Sequence, residues 1–265
     1  MSETPVSLQA LVAVARRAGD SIMKHYVGEF AVNYKADRSP VTAADLAAHR
    51  AILDELSRLT PDIPCLSEEA ESITWEQRRH WQRYWLIDPL DGTREFIARN
   101  GEFTVNIALI EQGDPVMGVV HAPALGETYF AARDQGATML TATGEPRSLP
   151  ACPPRSARPR VLVTRSHRSD ALTALLERLP PHEEVVVGSA LKFGRLAAGG
   201  GEFYPRLGPT SEWDTAAGQC VAEEAGARMC TAAGERLRYN QSPSLLNPDF
   251  SVAAAPCFDW QASLS

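Results

Sequence analysis

Leu8, Leu11, Val12, Ala15, Ala18, Ile22 and Tyr26 recur at the spacing of one helix face, which predicts an amphipathic helix over roughly residues 6–26 with its apolar stripe against a core. A second helix is predicted in SPVTAADLAAHRAILDELSRL. There Thr42 and Asp45 have the Thr-x-x-Asp spacing of a capping box, and Leu46, Leu53, Leu56 and Leu59 continue a buried face. Short apolar runs follow: IPCLSEEA ends in acids, YWLI runs into a further pair of them, and FTVNIALIEQGDPVMGVVHAP reads as two strands around Gln112-Gly113-Asp114-Pro115. Residues 127–150 add further short strands. Helices followed by hairpin-connected strands predict a helix-plus-antiparallel-sheet half.

The Pro- and Arg-rich stretch ACPPRSARPR, residues 151–160, interrupts this periodicity and is the expected linker. Beyond it the pattern alternates. RVLVTRS is a strand, ALTALLERL a helix, EVVVGS a strand, ALKFGRLAAGG a helix, EFYPRL a strand and DTAAGQCVAEEAG a helix closed by Gly226. Such alternation predicts an α/β half with a mostly parallel sheet. The expected division is therefore 1–154 and 155–265.

Composition narrows the class. The 265 residues are 44% hydrophobic and 22% charged, which suits a globular protein with a sizeable core. A formal net charge of -7 argues against nucleic acid as a partner, and it means that an anionic substrate needs local cations. Five scattered cysteines without a CxxC pair suggest neither a disulfide framework nor a thiolate zinc site, so a reducing cytoplasm is expected. MSETPVSLQA lacks a signal-peptide pattern and no apolar run approaches a membrane span, so no processing and no integral membrane segment are expected.

The candidate chemistry lies where apolar runs end in acids. In WLIDPLDGTREF a strand delivers Asp88, Pro89 stiffens the turn, and Gly92-Thr93 opens a helix whose first amides favour an anion. Asp88 and Asp91, three positions apart across that turn, can address one divalent cation. Asp-Pro and Asp-Gly are also common turn dipeptides, and Asp91 alone would serve as a helix cap. LSEEAE, with Glu68 and Glu69, is a second acidic cluster that alone reads as a solvated loop. Asp214 in SEWDTAAG is the third, and alone it reads as an N-cap. Three such ends together are what a carboxylate-lined metal cage built from distant loops requires, and without cations they would raise one another's pKa.

LSEE, WLIDPLDGTREFI and WDTAAG resemble the three signatures of the inositol monophosphatase superfamily of metal-dependent phosphatases. SPVTAADLAAH, RNGEFTVNIALI, TRSH, LKF, YPR and LNP are more narrowly similar to the CysQ-type 3'(2'),5'-bisphosphate nucleotidases, and the likeness spans nearly the whole chain. It implies a layered αβαβα sugar-phosphatase fold with the site in the cleft between halves. It implies that Glu68, Asp88, Asp91, Asp214 and the carbonyl of Leu90 hold two or three Mg2+ ions. Asp45 and Thr93 would position the attacking water, and Glu69 would hold a weaker ion or its waters. His167, Ser189, Lys192 and Arg206 would surround the nucleotide and its 5'-phosphate, with Gly92 and Thr93 on the reacting phosphate and Asp214 beside the substrate.

The implied activity is removal of the 3'-phosphate of adenosine 3',5'-bisphosphate, with the sulfated analogue as a further substrate, during sulfur assimilation. Lithium sensitivity and a cytoplasmic location, with loose association at the inner face of the cell membrane, belong to the same expectation. Magnesium suits the donor set because every ligand is a hard oxygen. Two ions about 3.5 to 4 Å apart can activate water and stabilise the leaving oxygen without a covalent intermediate. The competing readings are inositol monophosphatase or fructose bisphosphatase activity, a haloacid-dehalogenase-type phosphatase and a non-catalytic magnesium module. The dehalogenase type uses DxDGT, one residue shorter between its acids than Asp88 and Asp91. Oligomeric state is not legible in the sequence.

Overall fold

The computed structural model describes residues 6–27, 32–34, 40–70, 73–149, 158–166 and 168–254. The chain begins with α1 (Leu8–Tyr26), the short pair β1 (Val32–Tyr34) and β2 (Pro40–Thr42), and α2 (Ala43–Leu59). A run of strands follows: β3 (Cys65–Ser67), β4 (Arg83–Asp91), β5 (Thr104–Glu111), β6 (Asp114–Ala122), β7 (Glu127–Ala132), β8 (Ala137–Leu140) and β9 (Pro146–Leu149), with the short helices α3 (Trp75–Arg78) and α4 (Thr93–Ile97) between β3 and β5. Then come β10 (Arg160–Thr164), α5 (Asp170–Arg178), β11 (Glu183–Val187), α6 (Leu191–Ala197), β12 (Phe203–Arg206), α7 (Glu212–Glu224), β13 (Ala227–Thr231) and β14 (Phe250–Ala254).

Strands β3 to β9 form one seven-stranded sheet in sequence order, antiparallel except for the β3–β4 pair. The β5–β6 hairpin turns on two residues, Gln112 and Gly113, both at positive φ (51° and 86°), the twist that suits a two-residue hairpin. The second sheet runs β11-β10-β12-β14-β13. Its first three strands are parallel, as the alternating pattern predicts, but β14 and β13 pair antiparallel, so this sheet is mixed. The antiparallel addition arises because β13 and β14 follow one another without an intervening helix, whereas a parallel crossover needs one.

The two-residue period of each strand divides its side chains between layers. From β4, Trp85 and Ile87 join α1 and α2 in one core cluster, while Tyr84 and Leu86 face a second cluster with Phe193 of α6, Ala217 and Val221 of α7, and Leu162 and Val252 of the second sheet. On the far face of that sheet Val161, Val163 and Phe203 pack with Leu172, Leu175 and Leu176 of α5. The order of layers is therefore helix, sheet, helix, sheet, helix, the fold that the motifs imply.

The buried stripe of α2 departs from the sequence reading. Ala44, Ala48, Ile52 and Leu56 face inward, whereas Leu46 and Leu59 are exposed. Small alanines let α1 approach closely, and that contact outweighs burial of two leucines. On the middle helical layer, a methyl at Gly118 of β6 would stand 2.5 Å from the carbonyl oxygen of Ala217, and one at Gly218 of α7 would stand 2.3 Å from the Phe193 ring. These two glycines fix α7 against the sheet and against α6. Among the described residues no helix is long and apolar enough to cross a membrane.

Candidate active site

Four elements bring the site together. β3 ends at Ser67, immediately before Glu68 and Glu69; β4 carries Asp88, Leu90 and Asp91; α4 starts at Thr93; and α7 carries Asp214. β4 does not stop at Ile87 but pairs with β5 through Asp91, with an irregularity in register between Asp88 and Asp91. That irregularity at Pro89-Leu90 re-aims the second acid. Leu90 N–H donates to Asp88 Oδ1 at 3.0 Å and fixes the turn. Gly92 caps α4 in the left-handed region, so Asp91 is not its cap.

The second-helix capping box is formed, and Asp45 serves two partners at once. Its Oδ2 accepts from Thr42 N at 2.7 Å and Thr42 Oγ1 at 2.6 Å, while Oδ1 accepts from Thr93 Oγ1 at 3.3 Å. The local helix cap and the Thr93 contact are therefore compatible. Burial, together with the charge of Glu69, raises the Asp45 pKa. Asp214 sits at the third position of α7 and closes a capping box with Ser211, which is the N-cap itself.

Asp88 is 1% exposed. Burial, followed by the charges of Glu68, Asp91 and Asp214, pushes its carboxyl well above the ordinary range. Burial and the charge of Asp91 push Asp214 up in the same way, against the Ser211 N–H. Across the ladder from Asp88, Asn106 is buried, and neither atom of its amide has a hydrogen-bond partner among the described residues. A desolvated amide left so costs about 1–3 kcal/mol per group. Repelling carboxylates and an unsatisfied amide beside them suit a hydrated cation, and the all-oxygen donor set suits magnesium. Among the described residues no group of three acidic, histidine or cysteine side chains already stands in ligating geometry. Asp91 Oδ2 accepts from Ser189 Oγ (2.8 Å) and Ala190 N (2.5 Å), and Asp214 Oδ2 from Ser211 N (2.9 Å). These bonds engage one oxygen of each carboxylate, and Oδ1 of each is the oxygen that would meet an ion.

Ser189 lies in the left-handed region, φ 55°, just before α6. Its single hydroxyl hydrogen goes to Asp91, which only accepts, so Thr104 Oγ1 must be the donor in the 2.6 Å contact with Ser189 Oγ. The hydroxyl expected to donate to substrate is thus engaged by a carboxylate. Nearby, Glu102 accepts from Gly188 N and from both Nε and Nη2 of Arg165, which ties the loop before α6 to the seven-stranded sheet.

An open cleft of about 390 Å³ is lined by Glu68, Asp91, Gly92, Thr93, Ser189, Lys192, Arg206 and Asp214. Asp88 and Asp45 stand behind this lining, and Glu69 lies within electrostatic reach of Asp45. Lys192 is no surface cation. It is 4% exposed, donates to the carbonyls of Val187 and Ser189, and stacks 5.4 Å from the Tyr204 ring centroid. Burial lowers its pKa to about 8, opposed by Asp91. Arg206 Nη2 donates to the Pro209 carbonyl, and its buried Nε has no partner among the described residues. His167 lies outside the described residues. The sequence reading missed Glu95, Thr104 and Tyr204, which stand there only within a predicted helix and two predicted strands.

The inositol monophosphatase family matches this chain over residues 5–261. The 3'(2'),5'-bisphosphate nucleotidase CysQ of Salmonella typhimurium is 52% identical over 248 residues, covering 92% of this chain and 98% of that protein. Its Escherichia coli K12 counterpart is 49% identical over 249 residues, covering 93% and 99%. Among solved structures, CysQ from Bacteroides thetaiotaomicron, a bacterial member of the inositol monophosphatase family, superposes with a TM-score of 0.82 at 37% identity over 93% of this chain and 96% of that one. A Thermotoga maritima IMPase gives 0.81 at 26% identity over 97% and 95%.

Proposed function

This chain belongs to the inositol monophosphatase family, and from that premise we propose that it is a 3'(2'),5'-bisphosphate nucleotidase. It removes the 3'-phosphate of adenosine 3',5'-bisphosphate, leaving AMP and phosphate, and acts on the sulfated analogue in the same way. The observation that carries this reading is one cleft joining a carboxylate cluster to two buried cations. The carboxylates suit a metal-held phosphate, and Lys192 with Arg206 gives an acidic protein a second anion site. A simple sugar monophosphate has no need of the second.

The family is metal-dependent, and Glu68, Asp88, Asp91, Asp214 and the Leu90 carbonyl would hold Mg2+. When bound, the ions supply an activated water and neutralise phosphoryl charge. The chain does the rest. Asp45 and Thr93, already hydrogen-bonded to each other, orient the water, with Asp45 as the proton acceptor. Its raised pKa keeps the carboxylate basic enough for that task. Glu69 holds waters beside Asp45. The amides of Gly92 and Thr93 take phosphate oxygens, while His167, Lys192 and Arg206 hold the adenosine and its 5'-phosphate. Ser189 is held on Asp91 and acts through it.

Phosphate release from adenosine 3',5'-bisphosphate and from inositol 1-phosphate, each with and without magnesium, tests the assignment. Fast, magnesium-dependent release from the nucleotide and slow release from inositol phosphate is expected. Preference for inositol phosphate would overturn it. Lys192→Met and Arg206→Met should cost the nucleotide far more than a simple sugar phosphate.

A further inference from the structure

Glu95 is the cleft-lining carboxylate that the metal set leaves unused. The lining acids are Glu68, Asp91, Glu95 and Asp214, and the other three belong to the magnesium cage proposed above. The charge of Glu95 favours the ammonium of Lys192 and the guanidinium of Arg165, and beside a bisphosphate it is further compensated only where it meets a hydrogen donor. Glu95 is 4% exposed, its Oε1 accepts from Ser166 Oγ at 2.5 Å, and Oε2 has no hydrogen-bond donor among the described residues.

The room for this side chain is built. A methyl at Gly92 would stand 3.3 Å from Glu95 Oε2, and a methyl at Gly188 would stand 2.7 Å from Glu95 Cγ. Helix capping does not account for the residue, because α4 has no side-chain cap bond. Ser166 fixes the carboxylate from the second sheet's side of the cleft, so both flanks and one oxygen are constrained. The carboxylate is thus held against Gly92, in the same cleft lining as Asp91 and Thr93.

We propose that Glu95 is a specificity-determining residue that accepts a hydrogen bond from the ribose hydroxyl vicinal to the scissile phosphate, and that Ser166 is its positioning residue. The neighbour of a 3'-phosphate on ribose is the 2'-hydroxyl. That hydroxyl is a neutral donor, so it turns a repulsive carboxylate into a recognition group and selects ribonucleotides over deoxyribonucleotides. The inference rests on the nucleotidase reading and names what part of the nucleoside the site reads.

The test compares kcat/KM on adenosine 3',5'-bisphosphate, its 2'-deoxy analogue and inosine 3',5'-bisphosphate. The wild-type protein should lose about 10- to 100-fold on the deoxy substrate, the range of a hydrogen bond to a charged group, and little on the inosine one. Glu95→Ala should bring the ribonucleotide down to the deoxy level and abolish the discrimination. Glu95→Gln, which keeps an acceptor oxygen, should retain part of it, and Ser166→Ala should weaken it. The wild-type ratio needs no variant, so a misfolded Glu95→Ala does not rescue the idea. Equal turnover of all three substrates by wild type, or discrimination that persists in Glu95→Ala, would overturn the assignment while leaving the nucleotidase reading intact. A loss confined to the inosine substrate would move the donor to the base amine and overturn the hydroxyl assignment. Failure of wild type on every nucleotide would sink both readings.

Discussion

Asp91 shows how a residue gains a role from its donors rather than from its own position in a motif. Ser189 and Ala190 hold one of its oxygens, and Thr104 supplies Ser189 with the hydrogen bond that orients it. Donors behind a carboxylate that holds a metal, the role proposed for Asp91, are worth about 10- to 100-fold in metal affinity. Ser189→Ala should therefore raise the magnesium concentration needed for half-maximal turnover by that factor, with Thr104→Val shifting it in the same direction by less. Titration calorimetry with magnesium alone gives the independent readout. Glu212 supplies a second prediction at this scale. Burial pushes its carboxyl up to about 7, against the Asn240 N–H and Arg78. A folded-state pKa above the ordinary 4.3 means that its contribution is full at pH 4 and is lost as pH rises through about 7. Glu212→Gln cannot ionise, so the variant should gain about 3 kcal/mol on wild type between pH 4 and pH 8, measured by urea unfolding at each pH. A flat difference across that window would refute the account.

Among the elements, α7 has the most to position. It packs against the seven-stranded sheet through Gly118 and against α6 through Gly218, and its third residue is Asp214. Both contacts are closer than a β-carbon allows. Gly118→Ala and Gly218→Ala should each cost about 1–3 kcal/mol in chemical denaturation, and each should also reduce phosphatase activity, because the displaced helix carries Asp214 with it. Unchanged stability would mean that the neighbouring layer yields freely. The α2 helix makes the opposite point. Its sequence offers two apolar stripes, and the neighbour it meets selects the alanine-rich one, leaving Leu46 at 42% and Leu59 at 39% exposure.

For the whole molecule, the carboxylates gather between the seven-stranded sheet and α7, so the layers converge on mutually repelling charge. Asp88 and Asp214 have raised pKa values in the metal-free fold. Their stabilising contribution is complete below the ordinary carboxylate range near 4 and is lost as pH rises through their raised values. Metal-free protein should thus unfold at lower temperature at pH 8 than at pH 5, and magnesium should restore more at pH 8. At a hundred times its dissociation constant, the gain should be about 2.7 kcal/mol. Asp88→Asn should be more stable than wild type without metal at pH 8 and should gain little from magnesium. A magnesium response equal to wild type in that variant would remove Asp88 from the cage.

Local pattern determined a great deal: the helices other than α3, the strand run, the change of character after residue 160, the Thr42–Asp45 capping box and the Asp88–Asp91 turn each depend on neighbours a few positions away, where periodicity and turn chemistry operate. The motifs also carried the family and its five-layer fold. Tertiary structure alone decided which stripe of α2 is buried, how β13 and β14 close the second sheet, that Lys192 is sealed against Tyr204, and that Ser189 and Thr104 serve Asp91. Glu95 was hidden for the same reason. Its chemistry comes from Ser166, Gly92 and Gly188, and contacts 71 and 93 positions apart leave no trace in local spacing, because they exist only once the layers have packed.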